Sequence, residues 1–93
     1  MSQQLHRIDL AEFGIPREAT AVMYGWTMKP ESAKTFLYRT QDDSEPVLLT
    51  GTPKINRIGL VERQTLYFKT ECDSTQYVIF SLQVLGHEEI AGL

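Results

Sequence analysis

The sequence predicts an all-β fold: a single antiparallel β-sandwich of about seven short strands, Ig-like or jelly-roll-like. Three observations carry that expectation. Runs rich in aromatic and β-branched residues recur along the chain, and turn residues separate them at the roughly 8–12-residue spacing of sandwiches and barrels. No segment keeps an apolar helical repeat over three turns. At 93 residues the chain suffices for one domain and is too short for two. Residues 1–93 are therefore taken as one domain, with 1–10 an N-terminal strand or arm and 87–93 a flexible tail.

"LHRIDL" (Leu5 to Leu10) alternates weakly, with Ile8 and Leu10 on one face. In "AEFGIPREA", Gly14 and Pro16 bend the chain and leave room for one helical turn at residues 10–13. "ATAVMYGWTMK" (Ala19 to Lys29) is the first strong strand. Its large residues, Val22, Tyr24, Trp26 and Met28, share one face, and Ala21, Met23, Gly25 and Thr27 share the other. Such asymmetry suits a strand packed on one side. Gly25 points to a bulge or a close neighbouring backbone.

"KPESA" reads as a turn, "KTFLYRT" (Lys34 to Thr40) as a strand, and "QDDSEP" as the most loop-like segment. "VLLT" and "INRIGLV" are shorter strands. The last two are "TLYFKT" (Thr65 to Thr70) and the run Gln76 to Leu85, expected to pair as an antiparallel hairpin around the loop "ECDST". In the final strand Val78, Phe80, Leu82 and Val84 form an apolar, core-facing set. Burying such side chains contributes about 1.5–3 kcal/mol each. Tyr77, Ile79, Ser81 and Gln83 form the opposite face.

Composition narrows the function classes. The apolar fraction of 42% and charged fraction of 23% are globular values. The net charge is −3. Residues 1–46 carry 5 basic and 7 acidic side chains, and residues 47–93 carry 4 and 5. Neither half supplies the basic footprint of a nucleic-acid binder. The opening "MSQQLHRIDL" has no apolar signal-peptide core, and no apolar run approaches the roughly 20 residues of a membrane span. The expectation is synthesis in the cytoplasm without a signal peptide, and no membrane partner.

Chemistry-bearing motifs are weak. Cys72 is the single cysteine, flanked by Glu71 and Asp73, which raise rather than lower a thiol pKa. "HEEIA" (His87 to Ala91) has Ala91 where an HExxH zinc site needs its second histidine. The cluster Asp42, Asp43 and Glu45 lacks the spacing of a calcium loop and reads as a solvated hairpin loop. There is no nucleophile elbow, and "GTPK" lacks the P-loop spacing. The expectation is a non-enzyme with no cofactor and no metal.

The aromatic residues Tyr24, Trp26, Phe36, Tyr38, Tyr67, Phe68, Tyr77 and Phe80 all fall in predicted strands. Most fit core positions or cross-strand pairs. Tyr67 and Tyr77 are the two expected to face outward, where they would anchor an interface. The candidate interface set is Tyr67, Tyr77, Ile79, Gln83 and Trp26. Arg7, Arg39, Arg63 and Lys69 are charged surface positions suited to setting register with a partner.

Several of these runs resemble a family of compact β-sandwich modules found in phage virion proteins and bacterial surface proteins. "GIP" (Gly14 to Pro16) leads into "ATAV" (Ala19 to Val22) as in the entry to that family's first core strand. "FLYRT" (Phe36 to Thr40) resembles its aromatic second strand, and "NRIGLV" (Asn56 to Val61) its Asn-led strand. "TLYFKT" and "YVIFSLQVLG" resemble its last hairpin, ending in V-L-G (Val84 to Gly86). The likeness spans about residues 10–87 and departs at His87, where members often carry Tyr. It implies a structural or adhesive role without catalysis.

The resulting expectation is a small phage virion component, a head decoration or a tail-associated protein, acting through protein–protein contacts. Its partners would be capsid, tail or sister subunits, the last making a homo-oligomer. Two alternatives come from other classes: a carbohydrate-binding module using Trp26 and tyrosines as a stacking platform, and a small phage-encoded inhibitor of a host protein.

Overall fold

The computed structural model describes residues 5–51, 54–71 and 78–89. The chain is all-β, with seven strands and one short 3-10 turn among the described residues. The strands are β1 (His6–Asp9), β2 (Ala19–Lys29), β3 (Lys34–Tyr38), β4 (Val47–Leu49), β5 (Asn56–Gly59), β6 (Thr65–Glu71) and β7 (Ile79–Glu89). They form a four-stranded antiparallel sheet in the order β1-β6-β3-β4 and a three-stranded one in the order β5-β2-β7.

The 3-10 turn at Leu10–Phe13 starts where the Asp9 carboxylate accepts the Ala11 N–H at 3.1 Å. It ends at Gly14, whose φ of 78° lies in the left-handed region that glycine enters at little cost. β2 then runs as the large-and-small alternation predicts. Val22, Tyr24, Trp26 and Met28 point into the core and are essentially buried.

Opposite them lie Ile8, Leu37, Leu49, Leu66 and Thr35 from the four-stranded sheet. Thr35, a polar residue in this core, donates its hydroxyl to the Met28 sulfur at 3.3 Å, which ties the two sheets together. Phe68 of β6 packs on Phe80 of β7 at a ring separation of 5.0 Å. The Tyr24 hydroxyl is buried beside Asn56 without a well-formed hydrogen bond.

The expected hairpin of the last two strands does not form. β6 pairs with β1 and β3, whereas β7 pairs with β2 through ten residue positions from Ala19 to Lys29. The inward faces of both strands are apolar, so either sheet satisfies them. The long β2 offers β7 far more backbone partners than the seven-residue β6. Leu66 and Phe68 nevertheless reach the shared core as expected.

The flexible tail expected at residues 87–93 does not begin at His87. His87, Glu88 and Glu89 belong to β7, because Ala19, Ala21 and Val22 extend the ladder to meet them. The irregularity suggested by Gly25 lies beside it: the register slips between Met23 and Tyr24, leaving Leu85 as the extra residue on β7. Cys72, Tyr77 and the tail residues 90–93 lie outside the described residues.

Candidate interaction surface

Of the three-stranded sheet's two faces, one packs on the core. The other carries Met23, Gly25 and Thr27 on β2, Arg57 and Gly59 on β5, and Ile79, Ser81 and Gln83 on β7. Ile55, just before β5, is 72% exposed, Ile79 63% and Leu85 56%. Along this face a cleft of about 260 Å³ lies over Gly25, lined by Trp26, Thr27, Lys54, Ile55, Gln83 and Leu85. Gly25 opens it by leaving out a side chain between the Lys54 carbonyl and the Gln83 and Leu85 side chains. A second cleft of about 310 Å³ lies at the Ile79 end, beside Thr27, Met28, Lys29, Glu31 and Gly51. The remaining exposed apolar residues, Phe13, Leu48 and Val61, lie elsewhere in the chain; single ones are ordinary.

Ile79 and Gln83 thus share one exposed strand face, as the sequence implies. The other candidates do not join them. Trp26 is 3% exposed. Its indole N–H donates to the Thr50 carbonyl at 2.8 Å, so the ring lies beneath the cleft and forms no stacking platform. Tyr67, at 6% exposed, is on the other sheet. It lies on that sheet's outer side, but Arg7 and Tyr38 flank it across the strands. Its hydroxyl donates to the Glu62 carboxylate at 2.8 Å. That bond, helped by burial, raises the phenol pKa. An outward position in the strand therefore did not mean exposure. Tyr77 is not among the described residues.

Leu85, Ile55 and Lys54 are the surface residues that strand alternation alone missed. The sequence does hold a signal for two of them. Val84 and Leu85 are consecutive, so in a strand they cannot both face the core. Ile55 and Ile58 are three apart, an odd offset that puts them on opposite faces.

Of the charged candidates, Arg39 has an intramolecular use. Arg39 binds Asp43 through Nε at 3.0 Å, and the Asp43 carboxylate also accepts the Arg39 and Glu45 backbone N–H groups. These hydrogen bonds lower the Asp43 pKa to about 2. The acidic hairpin loop keeps Asp42 and Glu45 exposed, as expected, but is organised around the Asp43 carboxylate, which is only 11% exposed. Glu88 is held by Arg57, and that pairing lowers its pKa. His87 Nε2 lies 3.6 Å from Glu89, whereas His6 stacks on Phe68 in the other sheet. Among the described residues no group of three or more His, Cys, Asp or Glu is placed to hold a metal ion, and no helix is long and apolar enough to cross a membrane.

Comparison with protein families, with curated proteins and with solved structures finds no match to this chain.

Proposed function

We propose that this chain is a non-catalytic structural and binding protein, a small phage virion component at head or tail that acts through protein–protein contacts. The observation that carries the contact reading is the apolar pair Ile55 and Leu85 at one cleft of an open sheet face, with Ile79 beside a second cleft on that face, each more than half exposed. Apolar side chains clustered on one face mark interaction sites, unlike scattered ones. The virion setting comes from the resemblance of the strand motifs to virion and surface β-sandwich modules.

The test is cosedimentation with purified particles. The chain should travel with them, and Ile55→Lys or Leu85→Glu should release it while the far-ultraviolet CD spectrum stays unchanged. A chain that never associates with particles sinks the virion setting. Capture of one host protein in its place would make that protein the partner of the same face. The carbohydrate-binding alternative has lost its main residue, since Trp26 is buried beneath the sheet.

A further inference from the structure

Among the described residues there are four sheet edges, and three are short. β1 and β5 have four residues each and β4 has three, whereas β7 has eleven. Short edge strands, prolines, charges and bulges are the usual protections against edge-to-edge pairing. β7 has neither proline nor lysine, and its charges, Glu88 and Glu89, stand at one end. Its single bulge residue, Leu85, leaves Ile79–Val84 regular. Among the described residues nothing pairs with the outer edge of this segment.

The segment is also self-complementary. A two-fold axis at Leu82 sets Ile79 against Leu85 of a second copy, Phe80 against Val84, and Ser81 against Gln83. Exposed apolar residues then meet each other on the outer face, and the polar pair meets between them. Phe80, Leu82 and Val84, which face the core but are only half-buried, gain neighbours on the inner face. Charge selects the direction. In an antiparallel pair the Glu88 residues of the two copies lie about 40 Å apart, whereas parallel strands would set them side by side.

We infer that two copies of this chain associate through antiparallel β7–β7 pairing about Leu82, making one continuous six-stranded sheet. This deepens the contact reading above by naming a partner, and it rests on that reading. Six regular residues per strand and the bulged Leu85 make a small interface, so the dimer is a weak one with micromolar dissociation.

The test is sedimentation equilibrium of the purified full chain from micromolar to submillimolar concentration, without particles. The wild-type chain should dimerise. Ile79→Lys and Leu85→Glu should each weaken the dimer about tenfold or more, since each substitution alters both copies of one cross-strand pair. The double variant should recover to within about threefold of wild type, because the introduced lysine then faces the introduced glutamate of the other copy. Within one chain those positions lie about 20 Å apart along the same strand, so an internal ion pair cannot give the rescue. A wild-type chain monomeric throughout overturns the proposal, as does a dimer indifferent to the single variants. Absence of rescue overturns the Leu82 register. Particle cosedimentation is read separately, so failure of the virion setting is distinguishable from failure of this pairing.

Discussion

Arg57 and Glu88 form a two-point ion pair across a strand that contains neither of them. Arg57 is on β5 and Glu88 on β7, with β2 between. The guanidinium Nε lies 2.6 Å from one carboxylate oxygen and Nη2 lies 3.1 Å from the other, a fork-to-fork geometry. Ala21 of β2 pairs with Gly59 on one side and Glu88 on the other. These small residues leave space above the sheet, and Ala21 is fully buried although it faces outward.

Because Arg57 is the main cause of the lowered Glu88 pKa, Arg57→Gln should return that carboxyl toward its ordinary range. A depressed folded-state pKa means that the pair's contribution is present above the ordinary carboxylate range and fades as pH falls through the lowered value. Carboxyl-resolved NMR titration of wild type and variant checks this. An identical Glu88 midpoint in both would refute it.

The Asp43 loop gives a larger acid dependence. Its pKa falls from 3.8 to about 2, so its stabilisation is complete above about pH 4 and disappears as pH falls toward 2. The shift is equivalent to about 1–2 kcal/mol after allowing for the partly exposed Arg39. Asp43→Asn should lower the urea midpoint at neutral pH, and the gap from wild type should close near pH 2. A gap that stays constant across that interval contradicts the assignment.

Trp26 is the single tryptophan, so fluorescence reports its burial directly. The native protein should emit at blue-shifted wavelength, resist acrylamide quenching and shift red on unfolding in urea. Trp26→Ala removes a large core side chain and should cost about 3–5 kcal/mol. Native emission matching that of the unfolded chain would place the ring in water.

Elements governed by local pattern were legible in the sequence, and choices between equivalent partners were not. Ala19–Lys29 is readable to the residue because its two faces differ so sharply in size. The turn at residues 10–13 follows from Gly14 and Pro16. Sheet membership was not readable, because Phe68 and Phe80 look equally inward whether their strands are neighbours in one sheet or face each other across two. Among the described residues only β3 and β4 are both consecutive in sequence and paired in a ladder, so adjacency along the chain misleads about β6 and β7. The candidate surface was half legible. Alternation exposes Ile79 and Gln83, but the covering of Tyr67 by Glu62 and Arg7 depends on loop and strand placement that alternation does not encode.

Two glycines provide a paired test of how the strand connections pack. A Cβ added at Gly51 would lie 2.7 Å from the Glu31 Cα and 2.9 Å from its carbonyl carbon. Those are backbone atoms that cannot rotate aside, so the turn after β2 rests directly on the segment after β4. Gly51→Ala must push the two apart and should cost about 1–3 kcal/mol, the usual penalty for overpacking. At Gly59 an added Cβ meets nothing within 4 Å, and Gly59→Ala should change stability by no more than about 0.5 kcal/mol. Urea melts followed by Trp26 emission suit the comparison, because the indole is hydrogen-bonded to Thr50 beside Gly51. Equal midpoints for the two variants would mean that the Glu31 turn does not rest on Gly51. In that case the cleft shared by Glu31, Gly51 and Ile79 would lose its fixed wall.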